Sequence, residues 1–127
     1  MANGFHGTDE RWDAIERPLR RLDSALDEFA NRRQLTLTKN ARSWPDRSFE
    51  WGKRPAILIQ VFLESQWERS YTMWVSASDE RSRSEYWQQQ TLLKAAPIDV
   101  LERQLPELLE TAYAIAAEWA KTYDASG

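Results

Sequence analysis

Glu50, Gln60, Glu64 and Trp74 are the residues of this chain that could do chemistry together, provided folding brings them to one cleft. A carboxylic acid flanked by aromatic rings is desolvated, its pKa rises, and it can exchange a proton near neutrality. No spacing marks these four as a catalytic set, and other routes to catalysis are poorer. The chain has no cysteine, which removes disulfides, thiol nucleophiles and thiolate metal sites. Its one histidine, His6, lies in the N-terminal stretch, with no element to hold it beside a nucleophile. Its four glycines, at 4, 7, 52 and 127, make neither a phosphate-cradling loop nor a dinucleotide fingerprint. The nearest carboxylate pairs are Asp46 with Glu50 and Glu64 with Glu68, and two oxygens without a histidine make a poor metal cage. The reading is therefore no metal and no cofactor. A small-ligand site or weak carboxylate enzyme, using Glu50, Gln60 and Glu64 in a cleft between sheet and helices, is the alternative to a reading drawn from the aromatic residues.

The chain has seven tryptophans in 127 residues. Trp12 and Trp119 fall in helical patterns, whereas Trp44, Trp51, Trp67, Trp74 and Trp87 fall among strands and turns. A buried indole N–H needs an acceptor, so five tryptophans near one sheet exceed what packing alone asks for. The stretch AILIQVFLESQWERSYTMWV, residues 56–75, reads as two strands joined by a polar turn. Ile57, Ile59, Val61 and Leu63 lie on one face of the first strand, and Leu58 and Phe62 on the other. A hairpin loop of odd length, three or five residues, places the Ile57 row beside Tyr71, Met73, Val75 and Ala77 and segregates the apolar side chains best. A slip of one residue would reverse every side chain. In this register Leu58, Phe62 and Trp74 share the second face with Gln60, Thr72 and Ser76. Tyr86 joins them, and Phe49 and Trp51 join either that face or the core, depending on the turn at Gly52.

Large aromatic side chains exposed together mark contact surfaces. The expected function is thus a non-catalytic interaction domain, chaperone-like or adaptor-like. It binds a partner chain or its own copy through Leu58, Phe62, Trp74, Trp51 and Tyr86, with Arg42, Arg47 and Arg54 orienting the partner from the rim. If the helices instead divide one to each sheet face, these aromatic residues are ordinary core.

Positioning these residues requires a sheet and something to cover it. Residues 1–7 have no periodicity and read as a disordered tail, and Thr8 reads as a helix N-cap. Trp12, Ile15, Leu19, Leu22, Leu26 and Phe29 follow at spacings of 3, 4, 3, 4 and 3, one face of a helix that Pro18 should kink or divide. Glu16 and Arg20 form an i,i+4 pair in the favourable order. Gln34–Lys39 reads as a strand, Asn40–Arg47 as a loop, Ser48–Trp51 as a strand and Gly52–Pro55 as a turn. After the hairpin, Ser78–Ser84 is a polar turn and Glu85–Leu93 an edge strand. A C-terminal helix starts near Pro97 or Asp99, where Asp99–Glu102 resembles a reciprocal capping box. Its apolar face is Leu101, Leu105, Leu108, Ala112, Ile115 and Trp119, with Pro106 inside. The fold class is α+β: a two-layer sandwich of an antiparallel four- or five-stranded meander flanked by N- and C-terminal helices. It forms one domain over residues 8–123, with 124–127 flexible.

Net charge is −3 and the sequence pI about 5.2. Residues 32–54 are locally basic and 99–124 acidic. Arginines interleaved with Trp44, Phe49 and Trp51 could track a single strand of nucleic acid, but the overall acidity favours pairing with the acidic helix instead. No apolar run approaches the ~20 residues of a membrane span, and no secretory signal is visible, so a soluble, cytoplasmic protein is expected. The architecture resembles in outline the small dimeric chaperones of type III secretion. Those carry a mid-chain helix this chain lacks, and no residue is carried across from them.

Overall fold

The computed structural model describes residues 13–41, 44–79 and 88–126. The expected tail over 1–7 and the Thr8 cap lie outside them, as do Arg42 and Tyr86. The described elements are helix α1 (13–19), a 3-10 turn (Arg20–Leu22), helix α2 (Asp23–Arg33), strands β1 (Leu37–Asn40), β2 (Asp46–Trp51), β3 (Ala56–Ser65), β4 (Ser70–Ser78) and β5 (Gln88–Ala96), and helix α3 (Ile98–Ser126). The five strands form one antiparallel sheet in the order β1-β2-β3-β4-β5. Short connections make each strand the neighbour of the next.

The hairpin register places Ile57 opposite Ala77, Ile59 opposite Val75, Val61 opposite Met73 and Leu63 opposite Tyr71. This is the segregated register. The loop that closes it, 66–69, has four residues, and a register shift between Leu63 and Ser65 supplies the odd residue, Glu64. Every side chain of the Ile57 and Tyr71 rows is buried, together with Phe49 of β2. These residues share a single core cluster with Ile15, Leu19, Leu22, Leu26 and Phe29 from the N-terminal helices and Leu101, Leu105, Leu109, Ala112 and Ala116 from α3. Both helical layers therefore lie on one face of the sheet.

The two prolines act differently. Pro18 has no N–H for the carbonyl one turn back, and α1 gives way to the 3-10 turn two residues later. Pro106 sits inside α3 on its exposed side, and the helix continues through it. The carbonyl it leaves unpaired belongs to Glu102, an exposed residue, where water can satisfy it. The buried stripe of α3 is Leu101, Leu105, Leu109, Ala112 and Ala116, with Leu108, Ile115 and Trp119 half-buried beside it. The expected face is thus rotated toward Leu109 and Ala116. Asp99 and Glu102 do not build the expected capping box. Helix α3 starts at Ile98, and both carboxylates bind Arg21, at 2.8 and 2.5 Å. Helix α2 stops where Gln34 takes a left-handed conformation (φ 59°, ψ 43°), so β1 starts at Leu37 rather than Gln34.

Candidate functional site: the open face of the sheet

Alternation along the strands puts a second set of residues on the face away from the helices. From β2 these are Asp46, Ser48 and Glu50; from β3 Leu58, Gln60, Phe62 and Glu64; from β4 Thr72, Trp74 and Ser76. Asp46 stands opposite Phe62, Ser48 opposite Gln60, Glu50 opposite Leu58, and Gln60 opposite Trp74. Leu58, Phe62 and Trp74 are half-buried, and none of them is among the partly buried residues that pack against the core. The Phe62 and Trp74 rings meet at 5.0 Å between centroids, tilted by 57°. Among the described residues, no helix crosses this face.

Two hydrogen-bonded chains run across the strands, and the first of them holds the Trp74 ring. The Trp74 indole donates to Gln60 Oε1 at 2.8 Å, and Gln60 Nε2 donates to Asp46 Oδ2 at 2.6 Å. The amide orientation is forced, because an indole can only donate and an ionised carboxylate can only accept. The second chain runs from Ala95 N–H to Thr72 Oγ1 at 2.9 Å, and from that hydroxyl to Glu64 Oε1 at 2.7 Å. Glu64 is the bulged residue of β3, so the irregularity aims its carboxylate across the sheet at Thr72.

The residues expected at this surface divide. Leu58, Phe62 and Trp74 come together on it. Trp51 does not. It lies opposite Ile57, on the helix side, stacked on Tyr113 of α3 at 5.8 Å. Arg47 is also on the helix side, 2% exposed, because it shares a strand face with Phe49 and Trp51 and alternates with Asp46. Its Nη2 donates to Glu16, itself 3% exposed, its Nε donates to Asp23 at 2.7 Å, and its Nη1 donates to the Asp46 carbonyl at 3.0 Å. Burial opposes the charge, but the hydrogen bonds to Asp23 and Glu16 outweigh it, and the guanidinium pKa lies above its ordinary value. Arg47 therefore anchors α1 and α2 to β2 and is no rim residue. Arg54 is exposed at the turn before β3. Among the described residues, the charged side chains that the β2–β4 register puts on this face, Asp46, Glu50 and Glu64, are acidic, whereas the expected rim is basic.

Other arginines of the basic segment are also engaged. Arg32 and Arg33 bind Glu110 of α3 at 2.9 and 2.5 Å, and Arg33 lies 4.5 Å from the Tyr113 ring centre. Hydrogen bonds to Arg33 and Arg32 hold the Glu110 carboxyl below its usual range.

Among the described residues, the alternative ligand residues do not share the described cleft. Glu50 is exposed, and both ends of the Gln60 amide are occupied within the sheet. A cleft of about 240 Å³ between α1 and the β3–β4 hairpin is lined by Ala14, Ile15, Gln66, Trp67 and Arg69, and by none of the three. Among the described residues, no group of three or more His, Cys, Asp or Glu is placed to hold a metal ion, and no helix is long and apolar enough to cross a membrane.

Asp46 and Trp44, weighed from the sequence only as a metal-ligand candidate and as a stacking aromatic, are not placed at this sheet by their spacing. The Asp46-Ser48-Glu50 alternation was available as a signal, but Pro45 made the segment read as a loop. Trp44, 43% exposed and left-handed (φ 81°), donates its indole N–H to the Leu63 carbonyl at 2.8 Å, just beyond the last β2–β3 pair, Asp46 with Phe62. No spacing announces that bond. Comparison with protein-family models, curated proteins and solved structures finds no match for this chain.

Proposed function

We propose that this is a non-catalytic interaction domain whose open sheet face binds a partner protein segment carrying both basic and apolar side chains. The carrying observation is the pairing of a half-buried Phe62–Trp74 unit with an acidic surround of Asp46, Glu50 and Glu64. An apolar side chain seats against Leu58 and the rings. A lysine or arginine beside it gains both the ring quadrupole and a carboxylate. The hydrogen bonds from Trp74 through Gln60 to Asp46 fix the indole beforehand, so little side-chain entropy is lost on docking.

The probe is a peptide array mixing Lys or Arg with Leu or Phe, compared with a matched array carrying Asp or Glu. Basic–apolar peptides should bind in a salt-sensitive manner. Trp74→Ala should weaken them about 30-fold, as loss of an interface anchor worth about 2 kcal/mol does. Glu50→Lys, at an exposed position that leaves the fold intact, should weaken them as well. Equal binding of the acidic array, or binding indifferent to both substitutions, would refute the proposal.

A further inference from the structure

We infer that the cleft between α1 and the β3–β4 hairpin binds a small aromatic carboxylate, its ring on the Trp67 indole and its carboxylate on the Arg69 guanidinium. The site is separate from the open face and shares none of its residues. Its volume is about 240 Å³, and Ala14, Ile15, Gln66, Trp67 and Arg69 line it. Ordinary small-molecule sites run to ~300–1,000 Å³, so this one suits a single ring with one substituent rather than a nucleotide.

Three of the lining side chains are uncommitted. Among the described residues, Gln66, Trp67 and Arg69 have no side-chain hydrogen bond, ion pair or ring contact. Trp67 is 90% exposed, whereas the indoles of Trp44 and Trp74 donate to Leu63 and Gln60, and Trp51 stacks on Tyr113. Arg69 contrasts in the same way with Arg17, Arg21, Arg32 and Arg47, each of which is ion-paired. It also holds a left-handed backbone (φ 50°), which glycine or asparagine adopts at less cost. A bare indole and a strained arginine, two residues apart, give the fold neither packing nor pairing. A ligand that uses both gives each a role. The walls are already held: the Ser65 hydroxyl accepts the Glu68 N–H at 3.3 Å across the turn, and the Tyr71 hydroxyl donates to the Ile15 carbonyl at 2.8 Å.

Charge and shape select the ligand. A guanidinium offers two parallel N–H groups that match a carboxylate, and one cation balances one anionic charge. Asp13, Glu16 and Glu68 flank the lining residues in sequence. Asp13 is paired with Arg17 and Arg20, and Glu16 with Arg20 and Arg47. Glu68 is exposed, does not line the cleft and is not ion-paired to Arg69. A dianionic phosphate would leave excess negative charge beside these three carboxylates, so the single charge of a carboxylate fits better. Ala14 and Ile15 give the ring an apolar wall opposite the indole, and the Gln66 amide adds a neutral polar contact.

The full chain is titrated with a panel of single-ring benzoates and their matching benzamides, and the indole and arginine side-chain resonances are followed by NMR. Benzoates should shift the Trp67 and Arg69 signals saturably. Benzamides should bind about tenfold more weakly, as loss of a charge-assisted hydrogen-bond pair implies. Arg69→Gly should cost the same factor without lowering the melting temperature, because it removes the guanidinium and the left-handed strain together. Trp67→Ala, at an exposed position, should weaken benzoates about fivefold. Phenyl phosphate should bind no more tightly than benzoate. The inference is overturned if no benzoate shifts these signals, if benzamides bind equally, or if phenyl phosphate is preferred. It is equally overturned if Trp67→Ala or Arg69→Gly leaves binding unchanged, or if Arg69→Gly lowers the melting temperature, which would make the arginine part of the fold.

Discussion

Replacing Arg47 by alanine tests whether the charges beneath the helical layer hold it to the sheet. Arg47 and Glu16 are 2% and 3% exposed, and Asp23 completes the group with a side chain 20% exposed. Removing one partner of a buried ion pair costs about 3–5 kcal/mol, because the other charge stays where water cannot reach it. Two features set the value toward the lower end. Glu16 keeps Arg20 Nε at 2.7 Å, and Asp23 is open enough to regain water and lies 3.8 Å from Lys39. Loss of the packed arginine stem and of the bond to the Asp46 carbonyl acts the other way. A net loss of about 3 kcal/mol lowers the melting temperature by roughly 12 °C, at about 4 °C per kcal/mol for a domain of this size. Urea unfolding followed by tryptophan fluorescence should show it as a lowered midpoint at unchanged slope. Joint replacement, Arg47→Met with Glu16→Leu, removes both buried charges and should recover most of the loss. A single Arg47→Ala within about 1 kcal/mol of wild type would refute the buried pair.

Two further substitutions probe the same scaffold. The Tyr71 hydroxyl donates to the Ile15 carbonyl at 2.8 Å, and burial raises its pKa, so the fold favours the neutral phenol. Its stabilising contribution is whole below the ordinary tyrosine pKa of about 10 and is lost as pH rises through the higher folded value. Tyr71→Phe should therefore cost about 1–2 kcal/mol near neutrality and flatten the alkaline limb of a stability–pH curve measured by urea titration. Gly52 has φ +80°, and a Cβ there would lie 2.8 Å from the Pro55 carbonyl oxygen. Gly52→Ala should cost at least about 2 kcal/mol by thermal melting, the left-handed penalty plus the clash.

The sheet and its register were legible because alternating Ile and Val in β3 and alternating Tyr, Met and Val in β4 match in only one pairing that segregates them. Arg47 was not legible. Its partners lie 24 and 31 residues upstream, on helix positions whose charges read as a solvent face. Trp51 depended on the parity of a turn at Gly52, which residue type alone does not set. The α3 stripe was misjudged by one position at Leu109 and Ala116, because Leu108 and Leu109, like Ile115 and Ala116, both satisfy an apolar helical spacing. Leu58, Phe62 and Trp74 were legible as a group, whereas the acidic character of their surroundings emerged only once Asp46 joined a strand and Arg47 turned inward.

The meander has a consequence for synthesis. Strands β1 to β5 leave the ribosome in the order in which they pair, so the sheet can assemble progressively from neighbour to neighbour. The cover over β4 and β5 comes only with α3, the last of these elements, whose Leu101, Leu105 and Leu109 close the shared core. During that interval Met73 and Val75 stay uncovered in the nascent chain, a window in which holdase capture competes with aggregation.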